Sequence, residues 1–187
     1  MRQTALPGTT IEAAPAHGAA DRQLTPMFSG GGLVLSQVCQ LTGLEGYIIQ
    51  NWVKRKILPP PVGKKYSRNQ LCRLFHINLL KDTFTLEQSA GLLSYINGSL
   101  TDESDDLIDD SRLYAYLVDC LAALGGPERL DLSRAGETVK AVTADYHPPR
   151  PGAENRLWMV LEIMLTACEA QQIQRQALEL YGHLDYK

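Results

Sequence analysis

At 187 residues, 44% hydrophobic and 21% charged, the chain carries enough apolar material for one compact domain or two small ones without staples. No run approaches the roughly 18 apolar residues of a membrane helix, and residues 1–30 lack a hydrophobic run behind a basic start, so the expected address is the cytoplasm. The net charge of −3 conceals a division: residues 33–81 hold eight Lys and Arg against one acid (+7), and the remainder holds ten against twenty (−10), an asymmetry that points to a polyanion-binding module joined to a part with another task.

Residues 1–32 are rich in Ala, Gly, Pro and Thr, have no apolar period and end in three glycines, so a disordered tail is expected there. A first short helix follows, with Ser36 as its N-cap, Leu35, Val38 and Cys39 on its apolar stripe and Gly43 as its stop. The second helix, from Glu45 to Arg55, sets Ile48, Ile49, Trp52 and Val53 in one arc and Tyr47, Gln50, Asn51 and Lys54 on the other. Three prolines, Pro59 to Pro61, end it, and an extended loop or small hairpin leads to a third helix opened by a capping box of Ser67 and Gln70. Thr85 and Gln88 make the same signature for a fourth helix, closed at Asn97 and Gly98.

After that the sign of the charge reverses. Residues 101–110 hold six acids, and Leu107, Tyr114, Leu117, Leu121 and Leu124 then follow at heptad-like spacing. A weaker helix is expected between Ser133 and Tyr146. A long one begins at Ala153 and ends at His183, apolar nearly all round in its first half and stepping by three and four through Ala170, Ile173, Ala177, Leu180 and Leu184 in its second. Cys39, Cys72, Cys120 and Cys168 are single and far from metal-ligand spacing to any histidine, so they read as reduced, mostly buried thiols, and His76 reads as structural.

Two short helices about a glycine turn, a polar face on the second, and a proline-terminated basic loop are the grammar of a winged helix-turn-helix. The segment LSQVCQLTGLEGYIIQNWVKRKILPP, followed by KKYSRNQL, resembles the DNA-binding domain of MerR-type regulators, and is closer still to a bacterial family of uncharacterised proteins carrying a MerR-like domain. The shared points are the Gly43-Leu44 turn, Ile49 and Trp52, the Ile57-Leu58-Pro59 exit, and Tyr66-Ser67 after a basic residue. The departures are Ile49-Gln50-Asn51-Trp52 where MerR proteins show Leu-Arg-Tyr-Tyr, Lys56 in place of a usual glycine, and a join before Phe84 that is one residue shorter.

The resemblance implies a mainly α-helical protein: a winged helix-turn-helix over residues 33–98, then an acidic all-helical dimerisation or regulatory domain over residues 99–187. It would act as a transcriptional regulator binding double-stranded DNA as a homodimer through the last helix. Tyr47, Gln50 and Asn51 would address bases, the two amides being able to bridge an adenine edge. Lys54, Arg55, Lys64, Lys65 and Arg68 would neutralise phosphates. No catalytic, metal or cofactor role is assigned, and no residue identifies an effector. Two competing readings are a protein-interaction adaptor whose helix-turn-helix no longer binds DNA, and a magnesium-dependent helical enzyme using Asp105, Asp106 and Asp109, whose DDxxD spacing suits a diphosphate-bound cation.

Overall fold

The computed structural model describes residues 5–98, 100, 105–125 and 130–184. The protein is mainly helical. Its elements are α1 (Ala19–Leu24), α2 (Leu35–Thr42), α3 (Gly46–Lys54), α4 (Arg68–Leu80), α5 (Leu86–Asn97), α6 (Asp110–Ala123), α7 (Ala135–Val142) and α8 (Ala153–Gly182), with 3-10 turns at Thr25–Phe28 and Leu132–Arg134. Among the described residues the only extended pairings are isolated bridges, including Leu33 with Tyr66 and Val62 with Lys65.

Helix α4 is the hub, touching α2, α5, α6 and α8, and it is buried from Leu71 to Leu80 except at Asn78. Local chemistry starts it. The Ser67 hydroxyl accepts the Gln70 N–H at 3.2 Å while the Gln70 carboxamide oxygen accepts the Ser67 N–H at 2.8 Å, satisfying two of the donors every helix start leaves open. Thr85 and Gln88 do the same for α5, at 3.2 and 2.9 Å. Helix α2 starts two residues earlier than its serine suggested: Val34 is the N-cap, and its N–H is taken by the Gln37 side chain at 3.0 Å.

The heptad-spaced Leu107, Tyr114, Leu117, Leu121 and Leu124 are all buried, though the helix carrying them begins only at Asp110. Residues 101–104 of the acidic run lie outside the described residues. The weaker expected helix is shorter than its pattern, Ala135–Val142. Leu107 donates its N–H to the Ile96 carbonyl at 3.2 Å, and the buried side chains form one continuous core on both sides of residue 99. The boundary expected there does not separate two cores.

The N-terminal segment departs furthest from expectation. Residues 5–32, expected to be a disordered tail, run across α4 and α6 and bury Leu6, Ile11, Ala19, Ala20 and Leu24 in the common core. The Asn78 amide donates to the Gly8 carbonyl at 2.8 Å, the Tyr114 hydroxyl to the Pro7 carbonyl at 2.8 Å, and the Gly18 N–H to the Asp119 carboxylate at 2.8 Å. His17 sits 2.9 Å from the same carboxylate. Gly8, at φ 70°, approaches so closely that a Cβ would lie 2.1 Å from the Phe75 carbonyl oxygen. Small residues carry no hydrophobic period, yet they let backbone meet backbone, and surface supplied by α4 and α6 repays the ordering entropy that the segment could not repay alone.

Candidate nucleic-acid interface

Helix α2 ends on Gly43 at φ 68°, whose N–H returns to the Cys39 carbonyl at 2.8 Å. The Thr42 hydroxyl accepts the Leu44 N–H at 3.2 Å, and the Thr42 carbonyl accepts the Asn78 amide at 2.9 Å, so the turn is tied down to α4. Helix α3 then buries Ile49 and Trp52, with Ile48 and Val53 half-buried, as its periodicity predicted. Its other face is open to solvent: Tyr47 is 70% exposed, and Gln50, Asn51 and Lys54 are exposed beside it.

The C-terminus of α3 closes as a Schellman cap. The Ile57 N–H reaches the Trp52 carbonyl at 2.9 Å and the Lys56 N–H reaches the Val53 carbonyl at 3.1 Å, with Ile57 buried. This geometry requires a left-handed residue, and Lys56 supplies it at φ 57°. After the prolines, Val62 and Lys65 exchange both backbone hydrogen bonds, at 3.1 and 3.0 Å, around Gly63 at φ 57° and Lys64 at φ 64°. Positive φ at both central residues makes this a type I′ turn. A non-glycine residue in the left-handed region costs roughly 1–2 kcal/mol.

The loop is held to the hub from beneath. The Gln70 amide donates to the Pro59 and Pro60 carbonyls at 3.0 and 2.8 Å, and Leu33 and Tyr66 pair at 2.9 and 2.7 Å. Arg73, 5% exposed, donates from Nε to the Ile57 carbonyl at 3.1 Å and from Nη1 to the Asp110 carboxylate at 3.3 Å, joining the exit of α3 to the start of α6. Burial pushes the Asp110 carboxyl above its ordinary range, against the pull of Arg73. His76, completely buried, has Nε2 3.1 Å from the Asp110 carbonyl oxygen. A carbonyl only accepts, so Nε2 carries the proton, and Nδ1 has no partner. Burial pushes the His76 pKa down to about 4, Arg73 lowers it further, and the bond to Asp110 opposes both.

The eight expected contact residues divide into two groups. Tyr47, Gln50, Asn51, Lys54, Lys64 and Lys65 are exposed, and no ion pair among the described residues involves any of these lysines. Arg55 and Arg68 are engaged within the protein instead. Arg55 pairs with Glu87, whose carboxyl is held below its usual range by its own backbone amide and then by that guanidinium. Arg68 pairs with Asp21 and donates to the Thr25 hydroxyl at 3.2 Å, so the N-terminal segment covers it. Lys56, exposed and in the left-handed region, is not among the eight expected contact residues, although its place where a glycine is usual already sets it apart in the sequence.

Asp105, Asp106 and Asp109 precede α6 rather than sharing one of its faces, and no group of His, Cys, Asp or Glu suited to a metal ion occurs among the described residues. Asp109 accepts the Asn69 amide at 3.3 Å, and Arg150 donates to the Asp105 carbonyl at 2.9 Å. The cysteines are free, with Cys72, Cys120 and Cys168 buried; burial pushes the Cys120 and Cys168 thiols up to about 12. Among the described residues no helix is long and apolar enough to cross a membrane.

A family model described as "Domain of unknown function (DUF1836)" matches residues 31–117, from just before α2 into α6, so it contains the whole of the candidate face and its Arg73–Asp110 joint. A protein of Bacillus subtilis (strain 168) named "Uncharacterized protein YkrK" is 36% identical over 94 residues, a match covering 46% of this chain and 40% of that protein. The chain therefore matches less than half the length of this relative. No solved structure matches the chain.

Proposed function

We propose that this protein is a DNA-binding transcriptional regulator whose α2, α3 and basic turn form a MerR-like winged helix-turn-helix. The observation that carries the reading is the division of α3: one arc locked into the core by Ile49 and Trp52, the other offering Tyr47, Gln50, Asn51 and Lys54 to solvent. A helix built this way presents hydrogen-bonding side chains at major-groove width, while lysines at its end and in the neighbouring turn set register on phosphates.

Helix α8 supports a homodimer. Met159, Ile163, Thr166, Ala170, Ile173, Ala177 and Leu180 step alternately by four and three along α8, the period of a two-helix seam, and Leu184 continues the spacing just past its end. Met159, Ile173, Leu180 and Leu184 are each more than half exposed. Beside the first half of this seam, Thr83 and Phe84 complete an apolar groove of about 380 Å³.

The test is fluorescence anisotropy of a mixed-sequence duplex across a salt series, with the parent chain beside a variant in which Gln50, Lys54 and Lys64 are changed to Ala. The parent should bind with a log–log salt slope of several units, and the variant's slope should be shallower by roughly 2, for two lost phosphate contacts. A parent that ignores duplex DNA at low salt overturns the regulator. In that event the adaptor reading, which the internal pairing of Arg55 with Glu87 and Arg68 with Asp21 favours, inherits the exposed face.

A further inference from the structure

We infer that Lys56 is a phosphate-contacting residue, and that Lys56 and Lys64 both occupy positions where the backbone favours glycine because their charge serves binding. The inference rests on the regulator reading and extends it to a residue that neither periodicity nor resemblance selected. Among the described residues, positive φ occurs at eight glycines and at two other residues only, and both of those are lysines in the loop joining α3 to α4.

Each lysine stands at a point where glycine is the ordinary solution, the left-handed position of a Schellman cap for Lys56 and the second central position of a type I′ turn for Lys64. The same chain uses glycine for this purpose at the end of α2, where Gly43 takes φ 68°. Neither lysine gains anything from the fold in return: both are exposed, and neither side chain makes an ion pair or a side-chain hydrogen bond among the described residues. A strained conformation that nothing internal explains points outward, to a ligand.

The chemistry of that ligand follows from the surroundings. Lys54, Lys56, Lys64 and Lys65 are four ammonium groups within twelve residues that make no ion pair among the described residues, on a backbone stiffened by Pro59 to Pro61 and bonded to α4 through Gln70. Strongly hydrated point charges with rotatable donors, held at fixed stations along a loop, suit a line of phosphates better than one carboxylate.

The experiment compares the parent chain with Lys56→Gly, Lys64→Gly and the double variant, each by thermal unfolding and by duplex anisotropy over a salt series. Lys81→Gln, at the far end of α4, removes one charge elsewhere. The glycine variants should melt at or above the parent temperature, bind duplex roughly 5- to 10-fold more weakly near 0.1 M salt, and lose about 0.9 from the salt slope per lysine, with Lys81→Gln unchanged. Glycine variants that melt lower and bind like the parent would assign the lysines a structural role and sink the inference while the regulator stands. Equal weakening by Lys81→Gln would reduce the effect to net charge and sink it too. A parent that binds no duplex ends both this inference and the reading beneath it.

Discussion

His76 makes the stability of this protein depend on acid in a calculable way. In the fold its imidazole is dry, its Nε2–H is committed to the Asp110 carbonyl, and a proton added at Nδ1 would find no acceptor and would face the Arg73 guanidinium. Its pKa is about 4 in the folded protein and 6.5 as an ordinary histidine. Because the folded value is the lower one, the contribution is complete above the unfolded pKa and is lost as pH falls from 6.5 toward 4. Each unit in that window is about 1.4 kcal/mol, so between about pH 7.5 and about pH 5 the loss is about 2 kcal/mol. Urea unfolding of the parent and of His76→Gln at those two pH values isolates it, since Gln keeps a donor for the Asp110 carbonyl but cannot titrate, and carboxylates common to both proteins subtract out. The parent should lose about 2 kcal/mol more than the variant on acidification. An equal loss in both proteins would refute the reasoning, because a buried imidazole with a bare Nδ1 could not then be present.

Two further outcomes are expected. Leu24→Ala, in the segment that looked disordered, should destabilise the protein by about 2–5 kcal/mol in urea unfolding, because its side chain is completely buried beside α6; a change below about 0.5 kcal/mol would mean the segment is not packed. If the chain dimerises through α8 as proposed, changing Ile173 and Leu180 together to Asp should leave a folded monomer by sedimentation velocity, since both side chains are exposed in the single chain, and an unaltered oligomeric state would remove α8 as the interface.

What could be read in advance was what short-range physics decides. The capping boxes at Ser67 and Thr85 are i to i+3 arrangements that need no partner elsewhere, and they form as their residues imply. The division of α3 into a buried and an exposed arc follows from the 3.6-residue period alone, which is why Ile49 and Trp52 were assigned to the core and Gln50 and Lys54 to solvent. The cluster of positive charge, and the helical character of the chain, were equally plain in the residues themselves.

Tertiary structure decided the rest, and the reason in each case is a partner distant in sequence. Nothing in the Ala- and Gly-rich first thirty residues signals order, because the burial of the segment from residue 5 onward depends on α4 and α6, and the close approach of Gly8 to Phe75 crosses 67 positions of chain. Composition counted Arg55 and Arg68 with the free cations, yet Glu87 and Asp21, 32 and 47 residues away, neutralise them. The buried Arg73–Asp110 pair likewise spans 37 residues. Charge can be counted along a chain, but which charges remain available to a ligand is settled only when the fold has chosen their neighbours, and here the lysines of the α3 exit and the type I′ turn make no ion pair among the described residues.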